Sequence, residues 1–195
     1  MRDEIEVMLR FRISLARSIT PIWRELEISE LSSRAFFGQA AALLFFDYLS
    51  DGEFRIDGQQ FHIVEDDDNH AEPTTPLLFE VLTAPGQRFA FSRSCDATWT
   101  FDVEYVARMD ATDASSCCVG GEGDMPSDEF NHVENDNEYV RALTTRDAQI
   151  QQMHGDFVDE VAANHGRWFY EFGIDLVNER LREIVPAKAA TRKAK

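Results

Sequence analysis

The sequence predicts an α+β fold, built from hairpins, one buried helix and a helical C-terminal third. Three observations carry this. Leu9, Phe11, Ile13 and Leu15 alternate with Arg10, Arg12, Ser14 and Ala16, the period-two pattern of a half-buried strand. Ser32 to Leu49 is rich in Ala, Leu and Phe, has no proline, and is apolar on most sides, as a helix laid across a sheet would be. Asp57-Gly58 sits between two alternating runs, a strong hairpin signal.

In chain order, residues 1–8 read as a helical turn or a lead-in to the first strand. After a Ser18–Pro21 corner, Ile22 to Ile28 reads as the second strand. Ser29 and Ser32 are candidate N-caps for the helix, which Ser50-Asp51-Gly52 ends. Glu53–Ile56 and Gln59–Val64 form the Asp-Gly hairpin. Glu65–Pro76 is an acidic loop, Leu77–Leu82 a short strand or helical turn, and Ala84-Pro85-Gly86 a turn. Arg88–Ser94 and Thr98–Arg108 make a further hairpin, with Trp99, Phe101, Val103 and Tyr105 on one face. Asp110–Glu138 reads as a long loop rich in Gly, Ser, Asp and Asn. A short segment over Tyr139–Leu143 is followed by a helix from Thr145 to about Ala163, then by the aromatic run Trp168-Phe169-Tyr170 with Phe172, read as a plug docking the C-terminal helix. Asp175 caps that helix, whose stripe is Val177, Leu181 and Ile184 and which Pro186 ends. The expected organisation is a single α+β domain over 1–186, with a long loop at 110–138, and a basic disordered tail at 187–195.

Net charge is −17, and all three lysines lie in the last eight residues with Arg192. Without the tail's four positive charges the body carries −21. Such a body repels nucleic acid, so direct nucleic-acid binding is expected only through the tail. No run is long and apolar enough for a transmembrane helix, and MRDEIEVMLR lacks an apolar signal-peptide core. Three cysteines, two of them adjacent (Cys117 and Cys118), do not make a disulfide framework. The expectation is a cytoplasmic protein with free thiols and no membrane partner.

Laid out this way, the chain resembles the plasmid pRiA4b ORF-3-like family, whose members include transposon passenger TnpR-type proteins. The opening strand followed by Pro21-Ile22-Trp23-Arg24 is similar to that family's strand–P-x-I-W-R–strand opening. EFRIDGQQF, TAPGQRFAF, Trp99, the segment CVGGEGDMPSDEFNH, GDFVDE and FGIDLVNERL resemble later family motifs in the same order, across residues 8–185. The resemblance implies a curved, mostly antiparallel sheet and no established activity. Departures are specific. Asp96 and Ala97 replace the glycine and aspartate ahead of the family's tryptophan, and Phe101 replaces the histidine after it. Met125 and Phe130 fall where the family has cysteines, and Asn131-His132 replaces two glycines. These changes argue against a polar or metal-binding site of the kind those residues would form.

No catalytic residue emerges. There is no Gly-x-Ser-x-Gly, no triad pattern, and no Lys-Ser/Thr after Gly120-Gly121-Glu122-Gly123. Adjacent cysteines with His132 fall short of a zinc set, and neither acidic run has calcium-loop spacing. No metal or cofactor is therefore expected. Two candidate sites remain. Arg10, Arg12 and Arg24, joined by Arg55, are read as sharing the wet face of the opening hairpin, where they would bind an anion or nucleotide. Glu65, Asp66, Asp67, Asp68, Asp124, Asp128, Glu129, Glu134 and Asp136 are the candidate contacts of an acidic surface. The functional expectation is a non-enzymatic binding or accessory protein of a mobile element or phage. It would act on a protein partner, in its sharpest form as a nucleic-acid mimic that inhibits a DNA- or RNA-binding complex. The alternative is an anion-binding protein or enzyme with the arginine-lined pocket.

Overall fold

The computed structural model describes residues 6–46, 52–56, 58–63, 78–94, 98–111, 115–126, 130, 132–145 and 172–184. The strands are β1 (Glu6–Leu15), β2 (Trp23–Ser29), β3 (Gly52–Ile56), β4 (Gln59–Ile63), β5 (Arg88–Ser94), β6 (Thr98–Ala111) and β7 (Cys117–Glu122). They form one sheet in the order β4-β3-β5-β6-β1-β2-β7, every neighbouring pair antiparallel. The helices are α1 (Arg34–Leu43), α2 (Leu78–Val81), α3 (Val133–Thr145) and α4 (Ile174–Glu183). No described helix is long and apolar enough to cross a membrane.

Alternation decides which face is buried. Leu9, Phe11 and Ile13 of β1, Leu26 and Ile28 of β2, Phe54 and Ile56 of β3, Phe89 and Phe91 of β5, and Trp99, Phe101 and Val103 of β6 all turn to one side. There they meet α1, which buries Phe36, Phe37 and the Ala40–Leu43 run. Small alanines let that helix lie close to the sheet, and its phenylalanines interleave with those of the strands. Phe37 sits 4.7 Å from Phe11 and 5.2 Å from Phe54, ring centre to ring centre, spacings at which aromatic pairs add to simple area burial. The cap of α1 is Ser33, one residue beyond the serines read from sequence; its Oγ accepts the Phe36 N–H at 3.0 Å. Leu78–Val81 is the helical turn, and Gly86 at φ +92° closes the turn before β5.

The segment read as a long loop is the main correction. It contains β7, the edge strand beside β2, and α3 begins at Val133, inside the expected loop. Gly-rich CVGGEG lacks strand character on its own, and pairing with β2 supplies it. Its glycines serve packing and turning. A Cβ on Gly121 would stand 2.5 Å from Phe172 and 2.8 Å from Arg24, and Gly123, at φ +76°, would press one to 2.4 Å from the Pro21 carbonyl. Of the helical C-terminal third, α3 and α4 are described, and Val177 and Leu181 of α4 are buried against the core as the stripe predicts. The Thr145–Ala163 helix beyond its first residue, the Trp168-Phe169-Tyr170 plug and the 187–195 tail lie outside the described residues.

Candidate functional site

The face of the sheet opposite α1 is lined with charge, and the register arranges that charge by sign. Arg88 on β5, Glu104 on β6, Arg12 on β1 and Glu25 on β2 lie opposite one another across four neighbouring strands. Arg88 Nη2 donates to Glu104 Oε2 at 2.9 Å, and Arg12 Nη1 lies 3.8 Å from Glu25. Arg12 also rests over the Trp23 ring at 3.9 Å, while Trp23 Nε1 donates to Glu122 Oε2 at 3.1 Å. One step along, Arg10 pairs with Glu27. At the far side of the sheet Arg55 lies 3.6 Å from Glu53. The pairs that span two strands, Arg88–Glu104, Arg12–Glu25 and Arg10–Glu27, favour the register, each by a few tenths of a kcal/mol to about 1 kcal/mol, whereas Arg55 and Glu53 are neighbours on β3 itself.

The expected arginine pocket does not form. Arg10 and Arg12 occupy the wet face, each beside a glutamate, and Arg55 is separated from them by β5 and β6. Arg24 is on the other face, 1% exposed. Its phase in the strand explains this, since Ile22, Arg24, Leu26 and Ile28 alternate together. The guanidinium makes four hydrogen bonds to backbone carbonyls: Leu44 (3.2 Å), Trp23 (2.8 Å), Glu122 (2.7 Å) and Gly123 (2.8 Å). Phe172 covers it at 3.7 Å. Burial lowers its pKa to about 10, which leaves it charged at neutral pH. Arg24 is a clamp joining β2, the end of α1 and the turn after β7. A second arginine, Arg93, is likewise fully buried, in phase with Phe89 and Phe91 and 3.6 Å over the Phe46 ring.

On the wet face there is instead a depression of about 490 Å³ lined by Arg12, Ser14, Arg88, Asp102 and Glu104. Two positive and two negative side chains line it, so it does not select an anion by charge. Of the acidic candidates, Asp124 is exposed, with Oδ1 accepting the Phe172 N–H at 2.9 Å. Glu134 is exposed but tied to Arg17, with His132 Nδ1 3.5 Å away. Asp136 is a correction: it is 2% exposed, its Oδ2 accepts no hydrogen bond from a described residue, and burial raises its pKa to about 6. It cannot offer charge to a partner's surface. Glu65, Asp66, Asp67, Asp68, Asp128 and Glu129 lie outside the described residues.

Cys117 and Cys118 fall on opposite faces of β7. Cys117 lies beside Glu27, and Cys118 is buried with its thiol pKa pushed up by burial. The alternation that separates them keeps the two thiols from sharing one ion. Met125, Phe130 and Phe101, which stand where the resemblance places cysteines and a histidine, are all buried in the core. Positions read as a lost polar signature are here filled with apolar packing.

Comparison with known proteins agrees with this architecture. The sequence matches the family described as plasmid pRiA4b ORF-3-like protein over residues 7–177. No curated protein matches. Among solved structures, the crystal structure of a protein of unknown function from Methanosarcina mazei Go1 superposes with a TM-score of 0.63 at 16% identity, covering 87% of this chain and 97% of that one. At that identity the likeness concerns the fold alone.

Proposed function

The chain belongs to the plasmid pRiA4b ORF-3-like family, and we propose that it works by binding a basic protein partner rather than by catalysis. One observation carries this reading. The sheet arginines that would offset the chain's acidity are committed internally, Arg10, Arg12, Arg55 and Arg88 to glutamates and Arg24 to carbonyls. Asp102, Asp110, Glu122, Asp124, Asp175 and Glu179 are exposed and form no ion pair with a described residue. With −17 on the whole chain, the surface left to meet a partner is acidic, and such a surface attracts a cationic one over several ångströms.

In its sharpest form the protein occupies the nucleic-acid site of a DNA- or RNA-binding complex. It would do so as a product of a mobile element or phage acting in the cytoplasm. Capture from host extract at about 0.05 M and 0.5 M salt tests this, because surface charge is strongly screened at the higher value. The expected partner is basic, is released at high salt, and exchanges this protein for DNA in a mobility-shift competition. A partner held equally at both salts, or one that binds DNA and this protein together, contradicts the mimicry. No partner at either salt contradicts the binding role itself.

A further inference from the structure

The pairing of β1 with β6 is regular except at one place. Phe11 lies opposite Tyr105, but Arg10 lies opposite Ala107, so Val106 is an extra residue. A bulge of this kind shifts the phase of every side chain beyond it. Tyr105 faces the core. Without the bulge Arg108 would take the wet face; with it, Arg108 lies opposite Leu9 and shares the inner face with it. A recess of about 400 Å³ lies here, lined by Leu9, Glu30, Leu31, Leu82, Tyr105 and Arg108, with Thr83.

Its chemistry is two-sided. Polar and apolar groups share the lining: Leu31 is 52% exposed and supplies the accessible apolar surface, while Leu9 and Leu82 are buried. The head is a pair. Arg108 Nε and Nη2 both donate to Glu30 Oε2, at 2.9 and 2.7 Å. Arg108 Nη1 and Glu30 Oε1 then remain without a hydrogen bond to a described residue, a donor with positive charge beside an acceptor with negative charge. The Tyr105 hydroxyl is the third polar group; the residue is 4% exposed, and the hydroxyl makes no hydrogen bond to a described residue. A pair of zero net charge gives no preference to a plain anion or a plain cation. A ligand bearing both signs gains from each.

We propose that this recess binds a small zwitterion with an apolar side chain, the chemistry of the free apolar α-amino acids. Its carboxylate meets Arg108, its ammonium meets Glu30, and its side chain lies against Leu31 at the edge of the recess. The volume suits a ligand of leucine or phenylalanine size. The bulge is the device that makes the site, because it alone brings Arg108 to the apolar side of β6. This inference is independent of the acidic-surface reading.

The test is an amide-resolved NMR titration of the full chain with phenylalanine and with leucine. Glycine (no apolar body) and N-acetylphenylalaninamide (no charges) are the comparison probes. For about a dozen ligand heavy atoms, saturation near or below about 1 mM is expected. Shifts should gather at Leu31, Thr83, Tyr105 and Arg108, with both comparison probes at least about tenfold weaker. Arg108→Gln and Leu31→Ser change exposed side chains and should keep the unfolding temperature while weakening phenylalanine by at least about tenfold. Absence of shifts up to about 10 mM phenylalanine overturns the proposal. So does equal binding of the uncharged amide, or unchanged binding by Arg108→Gln.

Discussion

Two buried charged residues set the behaviour of this protein at the scale of single side chains. Arg24 satisfies four carbonyls and stacks on Phe172. Arg24→Met keeps much of the volume but strips those carbonyls of their donor, at a cost of about 3–5 kcal/mol in urea unfolding. Arg24→Lys should recover little, because one ammonium cannot reproduce the planar fork. Asp136 works the other way. Its folded pKa, raised to about 6 by burial, lies above the unfolded value near 3.9. The native state therefore holds the proton more tightly, and the contribution of Asp136 to stability is most favourable below about pH 4 and is lost as pH rises through about 6. The loss at neutral pH is on the order of 2–3 kcal/mol. Asp136→Asn should regain about 1–2 kcal/mol at pH 7.5 and flatten the decline between pH 4.5 and 7 in the same unfolding assay. The sequence held the information about Arg24, whose phase with Ile22, Leu26 and Ile28 marks the inner face; grouping by charge obscured it. Asp136 was legible in the same way, because it shares a helical face of α3 with Val133, Tyr139 and Val140, and its charge again obscured the phase.

Elements show a sharper division between what pattern reveals and what tertiary contact decides. Strands with apolar alternation, β1, β2, β5 and β6, stand in the sequence within a few residues of where they form. β7 does not, because a strand of Cys, Val and Gly is held by its neighbours. Beside it, α4 closes the sheet edge. Asn178 Oδ1 accepts the Cys118 N–H at 2.7 Å and its Nδ2 donates to the Cys118 carbonyl at 3.0 Å, as a further strand would. Unpaired edges invite association. Asn178→Ala should lower stability by about 1–2 kcal/mol and open that edge. Light scattering during concentration should then register self-association that the parent lacks; an unchanged profile would mean that Val177 and Leu181 guard the edge by packing alone. The bulge at Val106 was also illegible, because an extra residue in one strand is defined only by its partner.

For the molecule as a whole, self-repulsion and ion pairing respond to salt in opposite senses. The paired charges on the wet face lose attraction as salt rises, while a chain at −17 loses repulsion. Exposed pairs are worth little each, and the uncompensated charge is large, so repulsion decides. The unfolding temperature should climb by several degrees between about 0.02 M and 0.5 M sodium chloride. A fall would show that the cross-strand pairs dominate. Fold and family were both legible, the fold from periodicity and the family from Pro21-Ile22-Trp23-Arg24 with the ordered motifs after it. The sites were not, since the arginines that sequence grouped together are divided by the sheet between its two faces.

Arg24 also has a place in time. Three of its four acceptors belong to segments 20, 98 and 99 residues away in the chain. β1 and β2 are joined by a short corner and can zip early, but the guanidinium cannot leave water until the end of α1 and the turn after β7 have both arrived. Desolvation of that charge therefore belongs to the downhill side of the folding barrier. Substitutions there should steepen escape from the native state while leaving the rate of reaching it almost unchanged, a displaced unfolding limb on a chevron with a fixed folding limb. The residue that anchors the family motif is, on this account, what sets how long the folded molecule lasts.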